Sequence, residues 1–377
     1  MKIVIAPDSF KESLTAKEVC NAVESGFRKV FPQCEIVKVP MADGGEGTVE
    51  SLVDATGGSI ITTVVTGPLG HKVEAFFGML GDGKTAVIEM AAASGLQLVK
   101  QESRNPMYTT SRGTGELIVA AMDQGADHII IGIGGSATND GGAGMVKALG
   151  ARLLDTNRNE IDEGGGFLGK LATIDLTEMD QRLSSVKFDV ACDVDNPLTG
   201  PRGASAIFGP QKGASLEMIQ ELEANLGHYA TIIEHAIGIH VENIPGAGAA
   251  GGLGAGMLAF LKAELKRGVD IVIEATDLAH HLRGANLVIT GEGKIDSQTI
   301  YGKTPIGVAE TAKKFNVPVV AIAGNVAHDS DVVKEYGIDA LFSVVPGVVT
   351  MDDALKNAFQ NIERTAENMA TLLKMNM

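Results

Sequence analysis

Hydrophobic positions follow two rhythms along this 377-residue chain. Residues 2–6 are an unbroken Ile/Val-rich run, as expected of a strand buried on both faces. Thr15-Ala16-Lys17-Glu18 fits the capping box that opens a helix. Val19, Ala22, Val23, Gly26, Phe27 and Val30 then recur at helical spacing, and Pro32 closes the segment. A second strand is expected over 35–40, and the loop 42–48 leads into a helix through Val53. This β-α-β-α opening predicts an open parallel sheet.

From about residue 60 the pattern becomes alternating. The runs 61–65, 73–80 and 85–90, the last two joined across Gly81-Asp82-Gly83, predict an antiparallel meander. Further on, a strand is expected at 128–133, a helix at 142–149 and a strand at 151–155. Beyond residue 282 the βα rhythm returns. It predicts a strand over 286–290, a helix over 304–315, strands over 318–323 and 340–345, and one long closing helix over 351–373. The expected fold class is α/β: a doubly wound parallel-sheet domain built from both chain ends (1–60 and 284–377), with an inserted mixed α/β domain (61–283). Two sequential domains cut near residue 180 are the alternative. No internal repeat is visible.

Composition narrows the function. Lys and Arg number 31 against 47 Asp and Glu, a formal charge of −16. That balance argues against nucleic acid and against an anionic membrane surface. An anionic substrate would need a local pocket rich in cations or backbone N–H groups. Glycine is 47 of 377 residues, above the roughly 7% average, and it clusters in short loops after apolar runs. The cysteines, Cys20, Cys34 and Cys192, form no CxxC, so neither a disulfide framework nor a zinc site is indicated. The opening residues read as a strand rather than a signal peptide, and the uncharged stretch 243–261 is too rich in Gly and Ala for a membrane helix. A soluble, cytoplasmic protein is expected.

Several glycine motifs need weighing. Residues 78–85, GMLGDGKT, satisfy the P-loop pattern, but that loop works only between a strand and a helix. Here 86–90 continue as β, so a hairpin turn is expected. Residues 246–251, GAGAAG, match a dinucleotide fingerprint on a poor strand context; a tightly packed helix start and a phosphate cradle both remain open. The loop 132–142, GIGGSATNDGG, is a stronger candidate. It lies between a buried strand and a helix, which suits anion binding by the amides of Gly134 and Gly135 and by the Ser136 and Thr138 hydroxyls.

Four further loops set charged residues beside Gly or Pro where strands should end. They are PDSFKES (Asp8, Ser9, Lys11), ADGGEGT (Asp43, Glu46), CDVDNPLTGPRG (Asp193, Asp195, Arg202) and TGEGKIDSQT (Gly291, Glu292, Lys294, Asp296). In open α/β sheets ligands bind beyond the carboxyl ends of the strands, where these loops belong. Carboxylates paired with lysines suit phosphoryl transfer, which needs a metal-holding carboxylate, cations and a base near the acceptor hydroxyl. The eight histidines lie outside these loops, so triad hydrolysis and zinc chemistry rank low, and His280-His281 reads as surface.

In this order the loops resemble the glycerate kinase family, the bacterial type with two α/β domains. The resemblance spans essentially the whole chain and rests on PDSFKES, MADGGEGT, EMAAASGL, SRGTGELI, GIGGSATNDGGAG, CDVDNPL, FGPQKGA, PGAGAAGGLGAG and TGEGKIDSQT. Where the family pattern often has Gly, this chain has Glu12. The resemblance implies a flavodoxin-like domain with an inserted domain, and ATP-dependent, Mg²⁺-requiring phosphorylation of D-glycerate in an interdomain cleft. It favours 2-phosphoglycerate as product.

On that reading Lys11, Lys212 or Lys294 would offset phosphate charge, and Arg202 could grip the substrate carboxylate. Asp193 or Asp195 would be the base, Asp43 or Asp296 would hold Mg²⁺, and Asp8, Ser9, Gly291 and Glu292 would line the substrate or phosphate site. The partners are small molecules, with the oligomeric state left open. A product phosphorylated at the 3-position, a related hydroxy acid, an NAD-dependent dehydrogenase and a non-catalytic sensor of nucleotide or hydroxy acid are the competing readings.

Overall fold

The computed structural model describes residues 1–375. Its strands, in chain order, are β1 (Lys2–Ile5), β2 (Glu35–Lys38), β3 (Ser59–Thr66), β4 (Lys72–Met79), β5 (Thr85–Glu89) and β6 (His128–Gly132). They continue with β7 (Arg152–Leu154), β8 (Thr173–Asp175), β9 (Lys187–Ala191), β10 (Glu264–Lys266), β11 (Leu287–Ile295), β12 (Val319–Val326) and β13 (Ala340–Ser343). The chain divides into two compact units, one of residues 1–43, 50–58 and 267–377, the other of 44–49 and 59–266. The helices Gly268–Ala275 and Leu278–Leu282 thus fall in the first unit, upstream of residue 284.

The first unit carries a five-stranded sheet ordered β13-β12-β11-β1-β2, with every neighbouring pair parallel. Renumbered within the sheet this is 2-1-3-4-5, the flavodoxin-like order. Ile3, Val4 and Ile5 on the inner strand β1 are fully buried, which is why that run has no polar alternation. The capping box at Thr15 forms: its hydroxyl accepts from the Glu18 amide, and Glu18 accepts in return from the Thr15 amide. It starts the helix Ala16–Val30, whose buried face packs on the helix Ala358–Lys374. The two backbones come so close at Gly26 that a methyl there would collide with the Glu363 carbonyl.

Two expectations change. The closing helix is broken into Met351–Lys356 and Ala358–Lys374. At the break the Asn357 side-chain amide donates to the Asp353 carbonyl at 2.8 Å, competing with the helical ladder from inside. And β11 runs on through the polar residues Glu292 and Lys294 to Ile295, because its ladder with β12 continues to the pair Ile295–Val326.

The second unit holds a six-stranded mixed sheet ordered β10-β9-β6-β5-β4-β3. The pairs β3–β4 and β4–β5 are antiparallel, giving the expected meander, and β5–β6, β6–β9 and β9–β10 are parallel. Phe77, Ile88, Met90, Leu117, Ile118, Ile129, Ile131 and Met145 are among the residues that fill its core. Residues 80–84 form a hairpin turn, not a phosphate loop. Asp82 accepts from the Lys84 and Thr85 amides and from the Thr85 hydroxyl, and β5 follows directly. Among the described residues no helix is long and apolar enough to cross a membrane.

Candidate functional site

In a 2-1-3-4-5 sheet the connections from the two central strands leave toward opposite faces, and a crevice opens beyond their carboxyl ends. Here those strands are β1 and β11. Their ends are locked together: the Asp8 amide donates to Gly291 O at 2.8 Å, and the Thr290 hydroxyl donates to Ala6 O at 2.8 Å. The PDSFKES and TGEGKIDSQT loops therefore lie side by side, with Gly293 against the backbone of Phe10 and Lys11. Lys11 itself is exposed. Glu12, in the position where glycine is often found, adopts a left-handed φ of 65°, a conformation glycine takes without strain.

The carboxylates of Asp8, Asp43 and Glu292 act on one another here. Asp8 is buried and accepts from the Ser9 amide and from the Thr304 hydroxyl, both at 2.6 Å. Burial lifts its carboxyl to about 7, the Asp43 and Glu292 carboxylates add to the rise, and the two hydrogen bonds oppose it. Glu292 is likewise raised by burial; it accepts from the Thr299 hydroxyl at 2.8 Å and from Lys303 at 3.4 Å. Asp296 is differently placed. Lys294 sits 2.7 Å from it and is the largest cause of its lowered carboxyl pKa, so those two charges satisfy each other.

Within the second unit the candidate is the loop after β6. Gly134 and Gly135 are exposed, while Ser136 and Thr138 are buried at its base. Four of the sequence motifs converge to hold it. From EMAAASGL, the Leu96 amide donates to Gly135 O at 2.8 Å, and Ser94 O accepts from the Ala137 amide at 2.9 Å. From SRGTGELI, the amide and hydroxyl of Ser111 donate to the buried Asp140 at 2.9 and 2.8 Å. From FGPQKGA, Lys212 donates to Ser136 Oγ at 2.7 Å and to Thr138 O at 2.6 Å. From PGAGAAGGLGAG, Gly251 turns with φ +70° so close to Thr138 O that no Cβ fits. The GAGAAG run thus packs against this loop inside the fold.

Burial pushes the Lys212 amine down to about 7, with the Asp140 carboxylate opposing the shift. Asp140 is also raised by burial, against hydrogen bonds from Ser111, Gly142 and Gly144. In the CDVDNPL segment the strand ends at Ala191, so Asp193 and Asp195 do not share a strand face. Asp195 pairs with Arg202, and both side chains are well exposed, at 72% and 64%. Asn196 closes the turn by donating to Arg202 O at 2.7 Å. Asp193 is exposed on the same loop.

Among the described residues no group of three or more His, Cys, Asp or Glu is arranged as a metal cage. Magnesium does not require one. It is usually held by one or two carboxylates together with substrate phosphates. Asp8 and Asp43, whose mutual repulsion a cation would relieve, fit that role; Asp296, committed to Lys294, offers less. Thr299, Thr304, Ser111 and Asp140 were not singled out as site residues from the sequence. Thr299, Ser111 and Asp140 lie within TGEGKIDSQT, SRGTGELI and the loop 132–142, whereas Thr304 lies outside these motifs.

The profile of the glycerate kinase family matches residues 3–374. The chain is 61% identical over 375 residues to a glycerate kinase of Bacillus subtilis (strain 168), covering 100% of this chain and 98% of the relative. It is 59% identical over 377 residues to a glycerate 2-kinase of Escherichia coli (strain K12), covering 100% and 99%. A crystal structure from Salmonella typhimurium LT2, provisionally assigned as glycerate kinase 2, superposes with a TM-score of 0.93 at 57% identity, covering 100% of this chain and 99% of that one.

Proposed function

We propose that this chain, which belongs to the glycerate kinase family and is a kinase, transfers the γ-phosphoryl group of ATP to the 2-hydroxyl of D-glycerate, yielding 2-phosphoglycerate and ADP. The observation that carries the regiochemistry is 59% identity across the full length to a protein named glycerate 2-kinase. In the step, the hydroxyl oxygen attacks γ-phosphorus as the bond to the β-bridging oxygen breaks, and the hydroxyl proton passes to a carboxylate. Arg202 holds Asp195 and lowers its pKa, which makes it a weaker base, so the role is given to Asp193 on the same loop. Lys11 would offset charge developing on phosphate oxygens, with Lys294, tied to Asp296, as a weaker contributor. Ser9, Gly291 and Glu292 complete the wall of the switch-point crevice, and Gly134, Gly135, Ser136 and Thr138 present amides and hydroxyls to an anionic group. Arg202, paired with Asp195, would have to exchange that partner to grip the substrate carboxylate. Magnesium, held by Asp8 and Asp43, would lower the charge on the β- and γ-phosphates.

The test is a coupled assay. With Mg-ATP, D-glycerate and enolase but no phosphoglycerate mutase, phosphoenolpyruvate should form directly, and EDTA should abolish it. Signal that requires the mutase would assign the product to the 3-position and overturn the regiochemistry.

A further inference from the structure

Lys212 is an unusual cation for an anion site, because it never reaches the surface. Its side chain is 1% exposed, in the short turn Pro210–Lys212. The amine makes two hydrogen bonds, to Ser136 Oγ and Thr138 O, and both acceptors belong to the glycine-rich loop. A neutral amine has two N–H donors, which these two acceptors use fully; an ammonium has a third and carries a charge that burial penalises.

The Asp140 carboxylate acts on Lys212 electrostatically, but it accepts its hydrogen bonds from Ser111, Gly142 and Gly144. Arg104 lies against Gly213 and donates to Gln211 O at 3.4 Å, adding positive charge nearby. Tyr229, on the helix Leu216–Ile237, is buried with its hydroxyl pKa raised and stays neutral. The Thr138 hydroxyl on the same loop is buried with no hydrogen-bond partner among the described residues. The loop thus has a donor to spare and beneath it a buried amine with no hydrogen-bonded carboxylate.

We propose that Lys212 is a positioning residue whose proton is gained with the ligand: in the free protein it braces Ser136 and Thr138 as a neutral amine, and an anionic group settling on Gly134–Thr138 draws a proton from solvent onto it. The negative charge of the ligand supplies what the buried site lacks, and the added N–H tightens the loop from behind. This rests on the reading that the loop takes an anionic group of a substrate. The amine value near 7 places the uptake above neutral pH, since the free protein then holds the lysine neutral.

The test is calorimetric. D-glycerate and ADP are titrated separately into the intact protein in buffers of low and high ionisation enthalpy. The probe that binds the loop should take up close to one proton per site at about pH 8 and few at about pH 6. Lys212→Met should remove the uptake. Uptake that survives in that variant would overturn the proposal, and if the variant fails to fold, the pH series on the unmodified protein decides alone. Ser136→Ala separates the premise from the inference. If it weakens a probe severalfold while the unmodified protein shows no uptake for that probe at about pH 8, the inference is wrong and the loop reading stands. If it leaves both affinities unchanged, the loop is not the anion site and both readings fall.

Discussion

At the scale of single residues, charge pairing decides which acids are available for chemistry. Asp193 and Asp195 look equivalent in CDVDNPL, and Arg202 holds Asp195 and keeps its carboxyl low, which weakens it as a base. Asp193→Asn should therefore lose roughly 10²- to 10⁴-fold in kcat, the usual contribution of a base, while Asp195→Asn should lose much less. Melting temperatures should stay near wild type in both. If Asp195→Asn is the damaging change, or neither is, the base lies elsewhere. Asp8 allows a second test, because function and stability should part there. Its folded-state value of about 7 is above the unfolded one, so its share of stability is present below the unfolded value and is lost as pH rises through 7. Asp8→Asn should thus stabilise the protein by a few kcal/mol at about pH 8 and hardly at all at about pH 4, while abolishing most activity. In the unmodified enzyme, activity at limiting Mg²⁺ should fall as pH drops below about 7, since a protonated carboxyl binds the ion poorly. Activity independent of pH across that range would remove Asp8 from the metal site.

At the scale of elements, local signals were legible and long-range ones were not. The capping box at Thr15, the meander after residue 59 and the hairpin at Asp82 follow from neighbouring residues, and each is found. The break at Asn357 could not be read from periodicity, because the apolar spacing continues through it; a side-chain hydrogen bond makes the difference. The site was half legible for the same reason. Its loops announce themselves by Gly beside charge, but which partner each acid meets depends on contacts far apart in sequence, such as Thr304 on Asp8 across 296 positions. The role of the GAGAAG run shows the limit well. By pattern it is a dinucleotide fingerprint; in the fold Gly251 makes room for the Thr138–Asn139 backbone and Gly248 for the Pro197 carbonyl. Gly251→Ala should then destabilise the protein by about 3 kcal/mol or more, combining left-handed strain with a backbone clash, and should cost activity through the loop. Gly134→Ala meets open space, so its stability should stay near wild type and any rise in KM would report ligand approach. A tolerated Gly251→Ala would mean the loop is not braced there.

At the scale of the whole molecule, the sheet order has a consequence for folding. The central pair of the first unit, β1 and β11, joins Ile3 to Leu287, so the crevice cannot exist until nearly the entire chain is present. The buried face of the helix Ala16–Val30 likewise waits for the helix Ala358–Lys374. By contrast the six-stranded sheet is drawn entirely from residues between Ser59 and Lys266. Its core is built from that same stretch, so its contacts have closed before the first unit's partner strand appears. A chain of residues 59–266 should therefore fold alone and melt cooperatively, while residues 1–58, with two helices and two strands that bury too little apolar surface, should remain unfolded. Circular dichroism with thermal melts and amide exchange on the two fragments would check this. A molten 59–266 fragment, compact but without a cooperative transition, would show that the second unit needs the first to acquire fixed packing. An ordered 1–58 fragment would show that β1 and β2 can hold together without β11 on their other side.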